Sequence, residues 1–155
     1  RILVVDDNDA LRENLVETLE IEGYPVEAAA DGERALRRLA EDPLPDLVLL
    51  DLMMPGLGGQ DLLARIKGDP RLGGVRVVVV TGLSGARARL PDADAVLTKP
   101  FGVKELLARV RTVLRRSSPG AVPGATALTR RSGAGSRAID SGSARSAAFD
   151  APYAA

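Results

Sequence analysis

Five short aliphatic runs, separated by amphipathic stretches, constrain this chain more than any other feature. ILVVD (2–6), LVLLD (47–51) and, Arg76 aside, VRVVVVT (75–81) carry no polar residue until their last position. VEAAA (26–30) and AVLT (95–98) are weaker members of the same set. Runs this short and aliphatic read as strands buried on both faces. Between them the period changes to that of a helix. Residues 9–22 place Leu11, Leu15 and Leu19 four apart, with Asn8 or Asp9 as N-cap and Gly23 as the stop. Residues 32–41 bury Ala35, Leu36 and Leu39, and residues 60–67 show Leu62, Leu63 and Ile66 to one side. Residues 103–114 are the clearest helix, with Val103, Leu106, Leu107, Val110, Val113 and Leu114 on one stripe. Strands alternating with helices imply right-handed βαβ units. The predicted fold class is α/β, a doubly wound five-stranded parallel sheet with helices on both faces.

Composition narrows the function. The chain has no histidine, which removes histidine general bases, histidine metal sites and Ser-His-Asp chemistry together. It has no cysteine, so neither disulfides nor thiolate metal sites are available, as suits a reducing, cytoplasmic setting. Formal net charge is zero, which gives no bulk field for nucleic acid or a membrane surface. The apolar runs fall far short of the roughly 20 residues that span a bilayer. Residues 117–155 differ in kind: Ala, Gly, Ser and Pro fill 26 of these 39 positions, and only Val122, Leu128 and Ile139 are branched aliphatics. That is too little apolar surface to offset the entropy of ordering, so the segment reads as a disordered tail or linker after a domain over 1–116.

The strand ends carry the chemistry. In an open parallel sheet, ligands bind outside the carboxyl ends of the strands. There the first strand presents Asp6 and Asp7, the third Asp51, the fourth Thr81, and the fifth Thr98, Lys99 and Pro100. A buried strand ends on Asp51 because the chain emerges there into a polar pocket. Three crowded carboxylates repel one another, and a hard divalent cation relieves this. Mg²⁺ fits, with its oxygen ligands and retained waters, whereas Zn²⁺ is poorly served. A compact lysine charge suits a phosphoryl oxygen, and a threonine hydroxyl donates to another. Together these groups make a phosphoryl-transfer site with a carboxylate nucleophile. The same crowding predicts that removing a charge at Asp7 or Asp51 stabilises the metal-free fold by about 1 kcal/mol or more.

With these residues in place, VVDD, LVLLDLMMPGLGG, VVVVTG and LTKPF resemble the signatures of the receiver domain of bacterial two-component response regulators, over residues 1 to about 116. The resemblance implies that Asp51 takes a phosphoryl group from a histidine kinase or a histidine phosphotransfer protein. It implies direct Mg²⁺ ligation by Asp7 and Asp51, a partly water-mediated role for Asp6, and a further ligand from the Met53 carbonyl. Lys99 then contacts the phosphoryl oxygens, and Thr81 moves to hydrogen-bond the new phosphate. It implies a cis Lys99–Pro100 peptide, a glycine at 58 or 59 that permits the turn into the third helix, and no enzyme activity beyond self-phosphorylation and dephosphorylation. The partners implied are the phosphodonor and a downstream output domain or protein, with no nucleic-acid contact from this chain and no membrane.

Two features depart from the family pattern. Tyr or Phe often stands three residues before the lysine; Val96 has no ring to bury there. The stretch between Thr81 and Lys99 is 17 residues, which predicts a shortened helix between the fourth and fifth strands. By the resemblance, the residues at the places of Met53 and Leu83 influence how fast the phosphoryl group is hydrolysed; both are apolar here, which predicts slow hydrolysis. Two other readings remain open at this point: a receiver-like interaction module that is never phosphorylated, and a Mg²⁺-dependent phosphatase with an aspartyl nucleophile, although Met53 stands where that enzyme class has a second acid. Nor does the sequence decide between a stand-alone receiver and a piece of a longer regulator or hybrid kinase.

Overall fold

A computed structural model describes residues 1–82 and 90–116, all within the first of two units, Arg1–Ala121. The expected tail at 117–155, Leu83 and most of the expected helix before the fifth strand lie outside the described residues. Five strands, β1 (Ile2–Val5), β2 (Val26–Ala29), β3 (Leu47–Asp51), β4 (Arg76–Thr81) and β5 (Ala95–Thr98), form one parallel sheet. The helices are α1 (Asp9–Ile21), α2 (Gly32–Leu39), α3 (Gly59–Gly68) and α4 (Val103–Arg115), with a 3₁₀ turn at Pro70–Leu72 that the hydrophobic pattern does not announce.

The strand order is β2-β1-β3-β4-β5. The order reverses between β1 and β3, so the first and third strands lie side by side and open a crevice at their carboxyl ends. Register sharpens this. Val5 pairs with Leu50, Asp51 with Val80 and Thr81 with Thr98. The polar residues that follow each run therefore emerge along one rim.

Two apolar layers hold the sheet flat side to flat side. One buries Leu3, Val48, Leu50, Val77 and Val79 against α2 and α3. The other buries Ile2, Val4, Leu47, Leu49 and Val78 against α1 and α4. Each fully buried side chain of this size contributes roughly 1.5–3 kcal/mol. Leu15 and Leu19 of α1 are buried as their spacing predicts, as are Leu62, Leu63 and Ile66 of α3. Leu36 is only half-buried at the edge of its layer. Val103 departs from expectation. It is 53% exposed, because it is the first residue of α4, where no preceding turn folds it down onto the sheet.

Caps match the chain's polar punctuation. The Asn8 side chain accepts from the Leu11 amide at 3.0 Å, and that of Asp31 from the Arg34 amide at 2.7 Å. Gly23 follows the C-cap of α1 with φ +86°. Both Lys99–Pro100 and Asp42–Pro43 are cis.

Asp94 ties the entry of β5 to its neighbours. Its carboxylate accepts from Lys67 Nζ at 2.6 Å, the Val77 amide at 2.8 Å and Arg76 at 3.1 Å. Burial opposes its charge, yet these donors hold the carboxyl below its ordinary value of 3.8. A lowered folded-state value means stabilisation that is present above 3.8 and lost as pH falls through the folded-state value. Asp94→Ala is therefore expected to cost about 1–3 kcal/mol at pH 7, because it strands Lys67 and the Val77 amide. In urea unfolding the gap from the wild type should close with acidification below the ordinary carboxyl range; a gap independent of pH would contradict the assignment.

Candidate functional site

Asp6 follows β1 and Asp7 leads toward α1, while Asp51 is the last residue of β3. Their carboxylates offer oxygens that all lie within 4.8 Å of one another. Asp6 and Asp51 are buried and Asp7 is exposed, so the cluster opens to solvent on one side. Lys99, just past β5, places its ammonium 3.1 Å from Asp51 Oδ2 and 3.5 Å from Asp6 Oδ2. The Lys99 amide donates to the Thr81 carbonyl at 2.8 Å, which continues the β4–β5 ladder one step and fixes where the lysine leaves the sheet.

Each carboxylate is oriented differently. Asp6 accepts from the Asn8 amide at 2.8 Å. Asp51 accepts from the Met53 amide at 3.1 Å as well as from Lys99. Among the described residues no hydrogen bond is made by the exposed Asp7 side chain. Arg12, on the second turn of α1, reaches back and donates to the Asp6 carbonyl at 2.9 Å, while its other nitrogen pairs with Asp9. Sequence reasoning does not reach Arg12, since an arginine on an amphipathic helix reads as surface. Its position six residues past the first acid, one turn into the helix, is the only available signal.

Burial pushes the Asp6 carboxyl above its usual range, and the nearby Asp51 charge adds to the effect. The Asn8 amide and Lys99 offset part of it. Asp51 has Lys99 as a close counter-charge and Asp7 faces solvent. At Asp6, therefore, burial outweighs the crowding as a cost to the charged form.

The structure brings together Asp6, Asp7, Asp51 and Lys99, as expected. Thr81 ends β4 fully buried at the same rim. Met53 stands beside the cluster with its side chain 65% exposed. Val96 is buried in the sheet's α2/α3 layer. Of the two glycines before α3, the structure singles out Gly59: a Cβ there would fall 2.2 Å from the Asp51 carbonyl oxygen and 2.6 Å from the Leu52 Cα, whereas at Gly58 it would meet nothing. Gly56 turns the loop with φ +76°. The helix start is thereby pressed against the backbone of Asp51.

As chemistry, the cluster supplies hard oxygen ligands for a divalent cation of the Mg²⁺ type, with an ammonium poised over the same carboxylate. An open groove of about 360 Å³ runs beside it between α1 and α4, lined by Leu11, Leu15, Phe101, Val103 and Leu106, with Lys99 at its wall.

Comparison with known proteins agrees with this geometry. The family model of the response regulator receiver domain matches residues 2–111. The chain is 43% identical over 135 residues to the response regulator MprA of Mycobacterium sp. (strain KMS), covering 83% of this chain and 56% of that protein. It is 40% identical over 121 residues to the DNA-binding dual master transcriptional regulator RpaA of Synechocystis sp., covering 76% of this chain and 50% of RpaA. The chain thus spans about half the length of the curated relatives it matches. Among solved structures, the response regulator protein TrrA of Thermotoga maritima, in complex with Mg(2+)-BeF, superposes with a TM-score of 0.67 at 35% identity, over 73% of this chain and 97% of TrrA. A matching family model over most of the chain, a parallel sheet of the right order and an acidic cluster at its carboxyl rim converge on one conclusion: this chain belongs to the response regulator receiver domain family.

Proposed function

We propose that Asp51 is the phosphoacceptor of a two-component relay, and that residues 1–116 form the receiver domain that carries it. The observation that supports this most is the placing of Asp51 between an acid pair and an ammonium 3.1 Å away. Asp6, Asp7, Asp51 and the Met53 carbonyl are the groups that would hold Mg²⁺, with Asp6 acting partly through water. When bound, the ion supplies charge neutralisation for the phosphoryl oxygens. A carboxylate oxygen of Asp51 attacks the phosphorus of a phosphohistidine on a kinase or phosphotransfer protein. The P–N bond breaks and the histidine nitrogen leaves with its electron pair. Lys99 pairs with the incoming phosphoryl oxygens, and the apolar groove beside it gives the partner's helix a surface to rest on.

Phosphorylation replaces a single charge with nearly two and adds acceptor oxygens. Lys99 is already at hand, and the Thr81 hydroxyl is drawn toward the new group, so the carboxyl end of β4 becomes the element with two arrangements. The domain is a switch and not a turnover enzyme. It acts in the cytoplasm, where kinases draw on ATP, and reports to an output module. Relatives about twice as long leave room for such a module in the full-length protein, and RpaA is named as DNA-binding. In that reading nucleic-acid contact belongs to the output and not to the receiver.

Incubating the full chain with Mg²⁺ and acetyl phosphate should add one phosphoryl group by intact mass, which base or hydroxylamine removes as expected for an acyl phosphate. Asp51→Asn should abolish the gain, and Lys99→Ala should slow it by at least tenfold. A wild-type chain that binds Mg²⁺ and gains no mass would point to an interaction module; steady release of phosphate without mass gain would point to a phosphatase.

The metal-free state gives a second test. A raised folded-state value at Asp6 means stability that is present below 3.8 and lost as pH rises through the folded-state value. At pH 7 in EDTA, Asp6→Asn is therefore expected to raise stability by on the order of 1 kcal/mol, with the gain fading on acidification. A lower melting temperature for Asp6→Asn under those conditions would contradict this account of the pocket.

A further inference from the structure

Three acids converge, and two of them have anchors of their own. The Asn8 amide holds Asp6, and Lys99 with the Met53 amide holds Asp51. Asp7 has no such partner among the described residues, yet it is one of the three oxygen donors that a cation would need. The Asp6–Asp7 peptide sets the backbone position from which the Asp7 side chain reaches toward the other two acids. The carbonyl of that same peptide is the one that Arg12 holds at 2.9 Å.

Arg12 is built for holding. Its side chain is only 16% exposed although it sits on an otherwise charged, solvated helix. One guanidinium nitrogen bonds the Asp6 carbonyl and the other pairs with Asp9, so the fork spans the turn from the end of β1 to the first turn of α1. A planar, always-charged guanidinium holds two acceptors at a fixed angle, which an ammonium does not. The Asn8 cap pins the same turn from the helix side. Before a cation binds, the three carboxylates repel one another, and a free peptide would answer by rotating Asp7 away.

We infer that Arg12 is a positioning residue for the acid pair, fixing the Asp6–Asp7 peptide so that Asp7 stays aimed at the cation position shared with Asp6 and Asp51. The inference rests on the proposed Mg²⁺ site and deepens it. Groups that orient metal ligands from behind typically account for 10- to 100-fold in metal affinity.

Isothermal titration of Mg²⁺ into the full chain, paired with melting temperatures in EDTA, tests this. Arg12→Ala is expected to weaken Mg²⁺ binding about tenfold or more. Arg12→Lys keeps a donor without the fork and should recover only part of the affinity. Asp9→Asn weakens the other arm while leaving the Asp6 contact, and should bind Mg²⁺ with an affinity between those of the wild type and Arg12→Ala. A merely structural role would lower the melting temperature and leave the dissociation constant where it was. If Arg12→Ala does not fold, Arg12→Met, which keeps the apolar stem and no donor, carries the same comparison with Arg12→Lys. Folded variants lacking the donor that bind Mg²⁺ as tightly as the wild type would overturn the role of Arg12 alone. A wild-type chain that fails to bind Mg²⁺ would overturn the metal site itself, and this inference with it.

Discussion

Repulsion among three carboxylates is the constraint on which the rest of the structure turns. Two like charges about 4–5 Å apart cost on the order of a few kcal/mol at the effective dielectric of a protein surface. Asp6, Asp7 and Asp51 are held at such a distance by backbone they do not control. β1 and β3 are adjacent and in register, and both are buried end to end by aliphatic side chains. Burial of the two apolar layers exceeds the electrostatic cost many times over, so the sheet keeps the acids together. Lys99 relieves part of the repulsion at Asp51, and the remainder is held as affinity for a cation.

The two sides of the rim have different tasks. On the β1 side short local contacts hold the Asp6 side chain and the backbone of the turn: the Asn8 cap, the Asn8 amide on Asp6, and Arg12 across the turn. On the β4–β5 side the anchoring is remote. Asp94 secures the start of β5 to α3 and β4, and the Lys99 amide closes the ladder on the Thr81 carbonyl. Asp51 thus has a turn braced by local contacts on one flank and a threonine at a strand end on the other. Val96, packed in the sheet core three residues before Lys99, presents no aromatic ring on that flank.

Much of this was legible in the residues. Aliphatic runs closed by Asp or Thr announce strands that surface at one rim, and the βαβ alternation forces them parallel, so Asp6, Asp7, Asp51 and Lys99 could be brought together before any coordinate was known. What escaped is what depends on neighbours rather than on period. Val103 fits the apolar stripe of α4 and is exposed because it begins the helix. Arg12 carries no pattern of its own, since its role comes from the turn it reaches back across. The difference between Gly58 and Gly59 lies in one carbonyl, that of Asp51, against which only Gly59 sits. The cost at Asp6 follows chiefly from its burial, which only the folded chain reveals.

The central claim is that distant parts of the chain share one cation position. Mn²⁺ accepts the same oxygen ligands as Mg²⁺ and broadens nearby amide resonances. Titrating it into ¹⁵N-labelled full chain should erase the signals of Asp7, Asn8, Leu52 and Met53 first and together, with those of Glu27 and Val77 left sharp, and excess Mg²⁺ should restore them. Broadening that centres elsewhere, or that spreads evenly over acidic surface residues and does not yield to Mg²⁺, would contradict the account.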